Sequence, residues 1–186
     1  MSGLRVGFSV MGDRTVTLTI EPGVTVKFDN QGALELEHFT GTQPASGVLR
    51  AIGTEQKPIV FTWAAATPAP GDWRGLWFGG VISPINRLDH VRVEYAGDDC
   101  LCGLATCSDI ASHEAAVILT SAPPSAFITN AVFSSSKMHA ILRGYEYEGS
   151  TFDFRPTNTF TDNGGCPQTL PVRKGETCPN PKPACD

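Results

Sequence analysis

Between Thr17 and Gly97 the chain repeats one local pattern, a short strand rich in Val, Ile, Leu and Phe followed by a turn. No helical pattern separates these strands. Evenly spaced short strands without helices indicate an all-β chain, and similar strands at loose intervals are typical of a solenoid. The pattern is carried by LTIEPGVTVKF (Leu18–Phe28), GVLRAIGT (Gly47–Thr54), KPIVFTW (Lys57–Trp63), GDWRGLWFG (Gly71–Gly79) and LDHVRVEYAG (Leu88–Gly97).

Alternation within the strands predicts which side chains are buried. In VTVKF, Val24, Val26 and Phe28 share one face, whereas Thr25 and Lys27 take the opposite face. The preceding segment EPG is typical of a tight turn, because the ring of Pro fixes its φ angle and Gly accepts a positive φ. A stack of such strands would bury one apolar row and expose one polar row.

The expected architecture is a parallel solenoid whose successive coils bury a shared interior, because one coil cannot bury its apolar face alone. At about 20 to 30 residues per coil, the chain would make about six to eight coils. A β-sandwich or jelly roll also fits the composition, but it does not explain loops of uneven length between intact strands. We expect a parallel solenoid domain over residues 1–164, with an N-terminal capping strand, and a Pro-rich, Cys-containing tail over 165–186.

Corner positions also repeat along the chain. His90 precedes Val93 by three residues, and Asn130 precedes Phe133 by three residues. The two segments are therefore predicted to be equivalent strands of successive coils, each beginning at a turn residue.

The six cysteines favour disulfides and an oxidising compartment, because their number is even and the surrounding sequence is polar. Three cannot pair among three, so if all pair within the chain at least one bridge joins the two groups. A zinc site is the alternative, but the spacings match no common zinc pattern. The first group is Cys100, Cys102 and Cys107, and the second is Cys166, Cys178 and Cys185.

Charge and hydropathy narrow the possible partners. The net charge of −5, without a cluster of Lys and Arg, argues against nucleic acid. No apolar run approaches the roughly 20 residues of a membrane helix. The first residues are not a convincing signal peptide, so the protein either stays inside the cell or its sequence begins after a removed signal. The cysteines favour the second alternative and an extracellular, periplasmic or cell-surface location.

The segments LTIEPGVTVKF, GVLRAIGTEQKPIVFT, GDWRGLWF, LDHVRVEYAG and ITNAVFSSS together resemble right-handed parallel β-helix repeats of bacterial secreted and surface proteins. These belong to the superfamily that includes pectate lyases, and the resemblance covers about residues 16–136. It implies the fold but not one activity, since lyases, hydrolases, adhesins and modules of no known activity share this coil. No catalytic set of a pectate or alginate lyase matches this chain residue by residue.

The best candidate surface is an outward row formed by His90, Arg92 and Glu94. Trp77 of the preceding coil is expected beside it, since Leu76 and Phe78 point the other way. An exposed indole next to Arg and Glu could stack on a sugar ring and bind its hydroxyls or carboxylate. The alternative is an ordinary solvated strand face on which opposite charges offset one another.

A calcium site is a weaker hypothesis. Carboxylates at Asp98, Asp99, Asp109 and Glu114 are hard oxygen ligands, but their spacing resembles no known calcium loop. A solubilising acidic loop is the alternative, and we expect no cofactor.

Three functions remain open from the sequence. The first is a non-enzymatic secreted or surface β-helix that binds carbohydrate or acts as a spacer. The second is a lyase or hydrolase acting on an acidic polysaccharide. The third is a subunit that assembles by end-to-end stacking, since a parallel coil has two open ends.

Overall fold

The computed structural model describes residues 4–6, 15–36, 47–99, 114–147, 152–173 and 185–186. Over these residues the chain forms three parallel sheets, which we call A, B and C. Along each coil, successive strands enter sheet B, then sheet C and then sheet A. This arrangement is a parallel β-helix, which confirms the fold predicted from the strand pattern.

Strands of neighbouring coils lie side by side within each sheet. Sheet A contains β1 (Leu4–Val6), β4 (Ala33–Leu36), β7 (Gly75–Phe78), β10 (Ala115–Leu119) and β13 (His139–Arg143). Sheet B contains β11 (Ile128–Thr129), β8 (Arg87–Asp89), β5 (Gly47–Ile52) and β2 (Val16–Ile20). Sheet C contains β15 (Thr159–Thr161), β12 (Val132–Ser134), β9 (Val91–Glu94), β6 (Ile59–Trp63) and β3 (Thr25–Phe28). A small parallel pair joins β14 (Glu146–Tyr147) to β16 (Val172–Arg173), and a short 3-10 helix spans Arg155–Thr157.

The core is a set of apolar rows that run along the coil axis. In sheet C one such row is Val26, Phe61, Val93, Phe133 and Phe160, which are register partners from strand to strand. The three central members are fully buried, and the ring of Phe133 stacks on that of Phe160 at 5.4 Å between centroids. The period-two alternation of each strand therefore produces one continuous dry interior.

Corners between sheets B and C repeat as the sequence predicted. Val93 pairs with Phe133, which makes His90 and Asn130 equivalent corner residues. Both have a φ of 50°, a left-handed conformation that bends the chain between the strand of sheet B and the strand of sheet C. The backbone N–H of Ile59 donates to the carbonyl of His90 at 3.1 Å, so each corner is bonded to its neighbour in the next coil.

The described residues contain fewer coils than the about six to eight expected for the whole chain. The larger sheets contain five described strands each, so the described residues form about five coils rather than six to eight. Partners in sheet A are 42 positions apart between Leu34 and Leu76 but 24 apart between Val117 and Ile141. Long connections therefore lengthen several coils, while strand pairing keeps the register.

One disulfide is described. Cys166 is bonded to Cys185, which confirms that the C-terminal tail contains a disulfide. Cys100, Cys102, Cys107 and Cys178 lie outside the described residues, so a bridge between the two cysteine groups stays a prediction. The boundary between the β-helix domain and the tail at residue 164 also stays a prediction. The start of the tail is bonded to the last strand of sheet A, since the backbone N–H of Ala140 donates to the carbonyl of Cys166.

The first coil leaves apolar side chains exposed. Leu4 is 53% exposed, Val16 is 51% exposed and Val24 is 40% exposed. End-to-end association through this coil stays a prediction. Across the described residues, no helix is long and apolar enough to cross a membrane.

Candidate functional site

The predicted surface row is divided between two sheets. Arg92 and Glu94 lie on β9 of sheet C, whereas Trp77 lies on β7 of sheet A. The expectation that Trp77 stands beside Arg92 is therefore wrong. Lateral neighbours in this coil are at least 24 positions apart, and these two residues are separated by only 15.

The outer face of sheet C carries a mixed row of charged, hydroxyl and aliphatic side chains. Arg92 donates from Nε to Glu94 Oε1 at 2.9 Å, so their charges offset one another. Arg92 lies in an outward row with Thr25, Val60, Val132 and Thr159. Lys27 lies on the same sheet. Ligand binding at this face stays a prediction.

His90 lies at a corner rather than within the outward row. Its Nδ1 lies 3.1 Å from the Asp89 carboxylate, which also accepts hydrogen bonds from Asn130 at 2.8 Å and Thr129 at 3.1 Å. Partial burial acts to raise the pKa of Asp89. The hydrogen bonds from Asn130 and Thr129 and the charges of His90 and Arg87 outweigh this effect and hold the pKa below its ordinary value of 3.8. The cluster ties two coils together through one carboxylate.

Trp77 belongs to a different and more unusual surface. It packs with Ala115, Ile118 and Leu142 on the outer side of sheet A, where register pairs place it between Glu35 and Ile118. The apolar members of this outer row are buried, unlike the outer row of sheet C, and Trp77 itself is only 7% exposed. The expectation of an exposed indole platform is therefore wrong.

Two buried N–H donors on this surface lack a hydrogen-bond acceptor among the described residues. Arg74 and Trp77 are each more than nine-tenths buried. Within the described part of the chain, Arg74 Nε and Trp77 Nε1 have no hydrogen-bond partner. A buried unsatisfied donor costs about 1–3 kcal/mol, so these two donors make this surface a candidate for an external acceptor.

Both side chains line one shallow pocket on the outer side of sheet A. We call it the Arg74–Trp77 pocket. Its interior has roughly the room that one water molecule needs, so a single polar group rather than a whole ring enters it. The pocket is lined by Ala33, Glu35, Arg74, Gly75, Leu76, Trp77 and Ile118.

Backbone and packing contacts hold the pocket in place. The Arg74 backbone N–H donates to the carbonyl of Gly32 at 2.9 Å, and Arg74 Nη2 donates to Gln31 Oε1 at 3.4 Å. Strand pairing fixes Glu35 beside Trp77. The pocket thus offers two N–H donors and a nearby carboxylate acceptor, a combination that suits a group able both to accept and to donate hydrogen bonds.

Sequence reasoning missed two of these residues. Glu35 could have been found, because the alternation in ALELE directs it outward one coil before Trp77. Arg74 carried no such signal. It stands at a corner just before β7, and its burial depends on how that corner folds.

The carboxylates considered for calcium are engaged elsewhere or lie outside the described residues. Lys137 Nζ lies 2.8 Å from Glu114 Oε1 and 3.5 Å from Asp98 Oδ1. The hydrogen bond to Glu114 raises the pKa of Lys137 above its ordinary value. Asp109 is outside the described residues. Among the side chains that the structure places, no group of three His, Cys, Asp or Glu could hold a metal ion.

Comparison with known families agrees with the architecture. A family model described as a pectate-lyase-like beta helix domain matches residues 6–100, just over half of the 186 residues. The chain belongs to this family. Comparisons with curated proteins and with solved structures found no match.

The β-helix continues beyond the residues that the family model matches. Strands β10 and β12 pair in parallel with β7 and β9, which lie inside the match. Strands β13 and β15 then pair in parallel with β10 and β12, so sheets A and C continue further. The Arg74–Trp77 pocket lies mainly within the matched part, and Ile118 comes from the extension. The family supports the pectate-lyase-like fold.

Proposed function

We propose that this protein is a non-enzymatic β-helix module, secreted or displayed on a cell surface, that binds carbohydrate at the Arg74–Trp77 pocket. The observation that carries the proposal is the pair of buried donors, Arg74 Nε and Trp77 Nε1, which have no acceptor within the described chain. A sugar hydroxyl or carboxylate entering the pocket would satisfy them.

Carbohydrate fits because its hydroxyl groups both accept and donate hydrogen bonds. The two nitrogen donors would bind the hydroxyl oxygen, and the carboxylate of Glu35 could accept the hydroxyl proton. The apolar edges of Trp77 and Ile118 would contact the C–H groups next to that hydroxyl.

A binding role is favoured over glycoside hydrolysis by the carboxylates at the pocket. Hydrolysis generally needs a pair of Asp or Glu residues on either side of the scissile bond. Of the described residues that line this pocket, Glu35 is the one carboxylate. The disulfide between Cys166 and Cys185 supports a location outside the reducing cytosol.

The test is a binding titration by calorimetry against neutral and uronate-containing oligosaccharides. Trp77→Phe removes one N–H donor and keeps an aromatic ring, so we expect Kd to rise about 3- to 10-fold. Arg74→Met removes the charged donor and keeps an apolar stem, and we expect a rise of at least about tenfold.

Arg92→Met is the matched control, because it removes an arginine from the outer face of sheet C. It should change Kd by less than about twofold. If Arg92→Met abolishes binding while both pocket variants bind normally, the pocket is the wrong site. Failure to bind any glycan in the panel would overturn the carbohydrate proposal, and release of unsaturated sugar ends would favour a lyase.

A further inference from the structure

An arginine stands where the coil interior otherwise carries apolar side chains. In sheet A the last inward row contains Leu36, Phe78, Leu119 and then Arg143. Arg143 is only 1% exposed. A guanidinium keeps its charge at ordinary pH, so it must be paired and fully hydrogen-bonded to be tolerated there.

The partners of Arg143 come from later parts of the chain. Its Nε donates to the carbonyl of Thr169 at 2.5 Å, and its Nη1 donates to the carbonyl of Phe152 at 3.3 Å. Its Nη2 donates to the carboxylate of Asp186 at 2.5 Å. Among the described residues, Asp186 is the one anionic side chain paired with Arg143.

Asp186 is held by several contacts besides Arg143. Its carboxylate accepts a hydrogen bond from Gln168 Nε2 at 2.8 Å, and its backbone carbonyl accepts one from Arg155 Nη1 at 2.5 Å. Its backbone N–H donates to the carbonyl of Gln168 at 3.2 Å. One residue earlier, Cys185 forms an antiparallel bridge with Thr169.

A disulfide fastens this arrangement to the coil. Cys166 is buried at 2% exposure, and its backbone carbonyl is bonded to β13, the strand that carries Arg143. Its partner Cys185 is exposed. The cross-link therefore fixes the position of residue 186, and a reductant can approach it from the Cys185 side.

We propose that the Cys166–Cys185 disulfide is a redox-sensitive clasp that keeps the Asp186 carboxylate on the buried Arg143 guanidinium. When the disulfide is reduced, residues 185–186 separate from the coil and the Arg143 site opens to water. The clasp makes the stability of the last coil depend on the redox state of its surroundings.

The reductant is a dithiol. Its thiolate attacks the Cys185 sulfur, and Cys166 leaves as a thiolate that takes up a proton. The second thiol of the reagent then attacks the mixed disulfide and releases Cys185. Two electrons and two protons pass from the dithiol to the protein disulfide, and the reagent becomes a cyclic disulfide.

A thermodynamic cycle tests the coupling between the disulfide and the ion pair. We expect Asp186→Asn to lower Tm by roughly 3–10 °C when the disulfide is present. In a Cys166→Ser/Cys185→Ser background the same change should shift Tm by less than about 1 °C, because Asp186 has already left Arg143. Equal Tm losses in both backgrounds would show an ordinary cross-link and overturn the clasp.

Asp98→Asn is the matched control, since it removes a carboxylate from a surface ion pair with Lys137. Its small Tm shift should be the same in both backgrounds. If the serine background proves too unstable, hydrogen exchange on the natural chain with and without dithiothreitol replaces it. Reduction should then deprotect the amides of Arg143 and Thr169 and leave Leu49 protected, whereas unchanged protection of Arg143 would refute the proposal.

Discussion

Truncating Phe133 tests whether the interior rows stabilise the coil. Phe133 is fully buried between Val93 on one side and Phe160 on the other, in the inward row of sheet C. Phe133→Ala removes the ring and leaves a cavity between two neighbouring coils. Such a change in a packed core costs about 3–5 kcal/mol.

The position of Phe160 sharpens the prediction. It stacks on Phe133 but lies on β15, the last described strand of sheet C, and it is only partly buried. Because each coil contacts mainly its two neighbours, a residue at the end of a row has fewer contacts to lose. We expect Phe160→Ala to cost about half as much as Phe133→Ala, roughly 2 kcal/mol.

Equilibrium unfolding in urea, followed by circular dichroism, measures both changes. Phe152→Ala serves as the control, because that ring is 39% exposed, and it should change the free energy of unfolding by less than about 1 kcal/mol. The reasoning fails if Phe133→Ala costs no more than the control, or if Phe160→Ala costs as much as Phe133→Ala. Either result would mean that the rows do not pack along one axis.

Two further predictions concern the backbone and the corners. Gly75 has a φ of 124°, and an added Cβ would lie 2.5 Å from the carbonyl oxygen of Ala116, whereas at Gly23 (φ 85°) the nearest atom would be 3.6 Å away. Gly75→Ala should therefore lower the free energy of unfolding by roughly 3 kcal/mol or more and Gly23→Ala by roughly 1 kcal/mol, and equal losses in urea unfolding would contradict the role of the close approach. The second prediction follows from Asp89, whose pKa is lower in the folded protein than the value of 3.8 expected in the unfolded chain. Its carboxylate therefore adds to the free energy of unfolding above pH 3.8, and this stabilisation is lost as the pH falls through the pKa of the folded state. Urea unfolding as a function of pH should show a smaller loss of stability below pH 3.8 for Asp89→Asn than for the natural chain, and parallel curves would contradict this role.

Local alternation was enough to predict the main strands, most of their inward residues and the parallel coil. Val24 is an exception, because it was expected on the buried face and is 40% exposed, just before β3 begins. The opposite orientations of Leu76 and Trp77 and the equivalence of the corners at His90 and Asn130 follow from period-two and turn patterns alone. These features depend on neighbours within a few positions. They need no knowledge of how long each connection is.

Lateral neighbours could not be predicted in the same way. Which side chains meet across a sheet depends on the length of a full coil, and the connections in this chain make that length vary between 24 and 42 residues in sheet A. Trp77 and Arg92 are separated by about half a coil or less, so they enter different sheets. Residues separated by one full coil lie beside each other in a sheet, and Glu35 is the residue one coil of 42 positions before Trp77.

The buried polar groups of this coil divide by whether their hydrogen bonds are satisfied. Arg143 and Gln168 bond to neighbouring backbone and side chains, and Asn86 accepts from the Leu49 N–H at 2.8 Å, so burial of these groups completes the structure itself. Arg74 and Trp77 are also more than nine-tenths buried, yet one N–H donor of each has no hydrogen-bond acceptor among the described residues. A stable fold tolerates such a cost where a ligand removes it, since binding satisfies the donors that folding leaves open. The satisfied groups therefore help to hold this β-helix together, whereas the unmet donors of Arg74 and Trp77 are the ones that we propose for ligand binding.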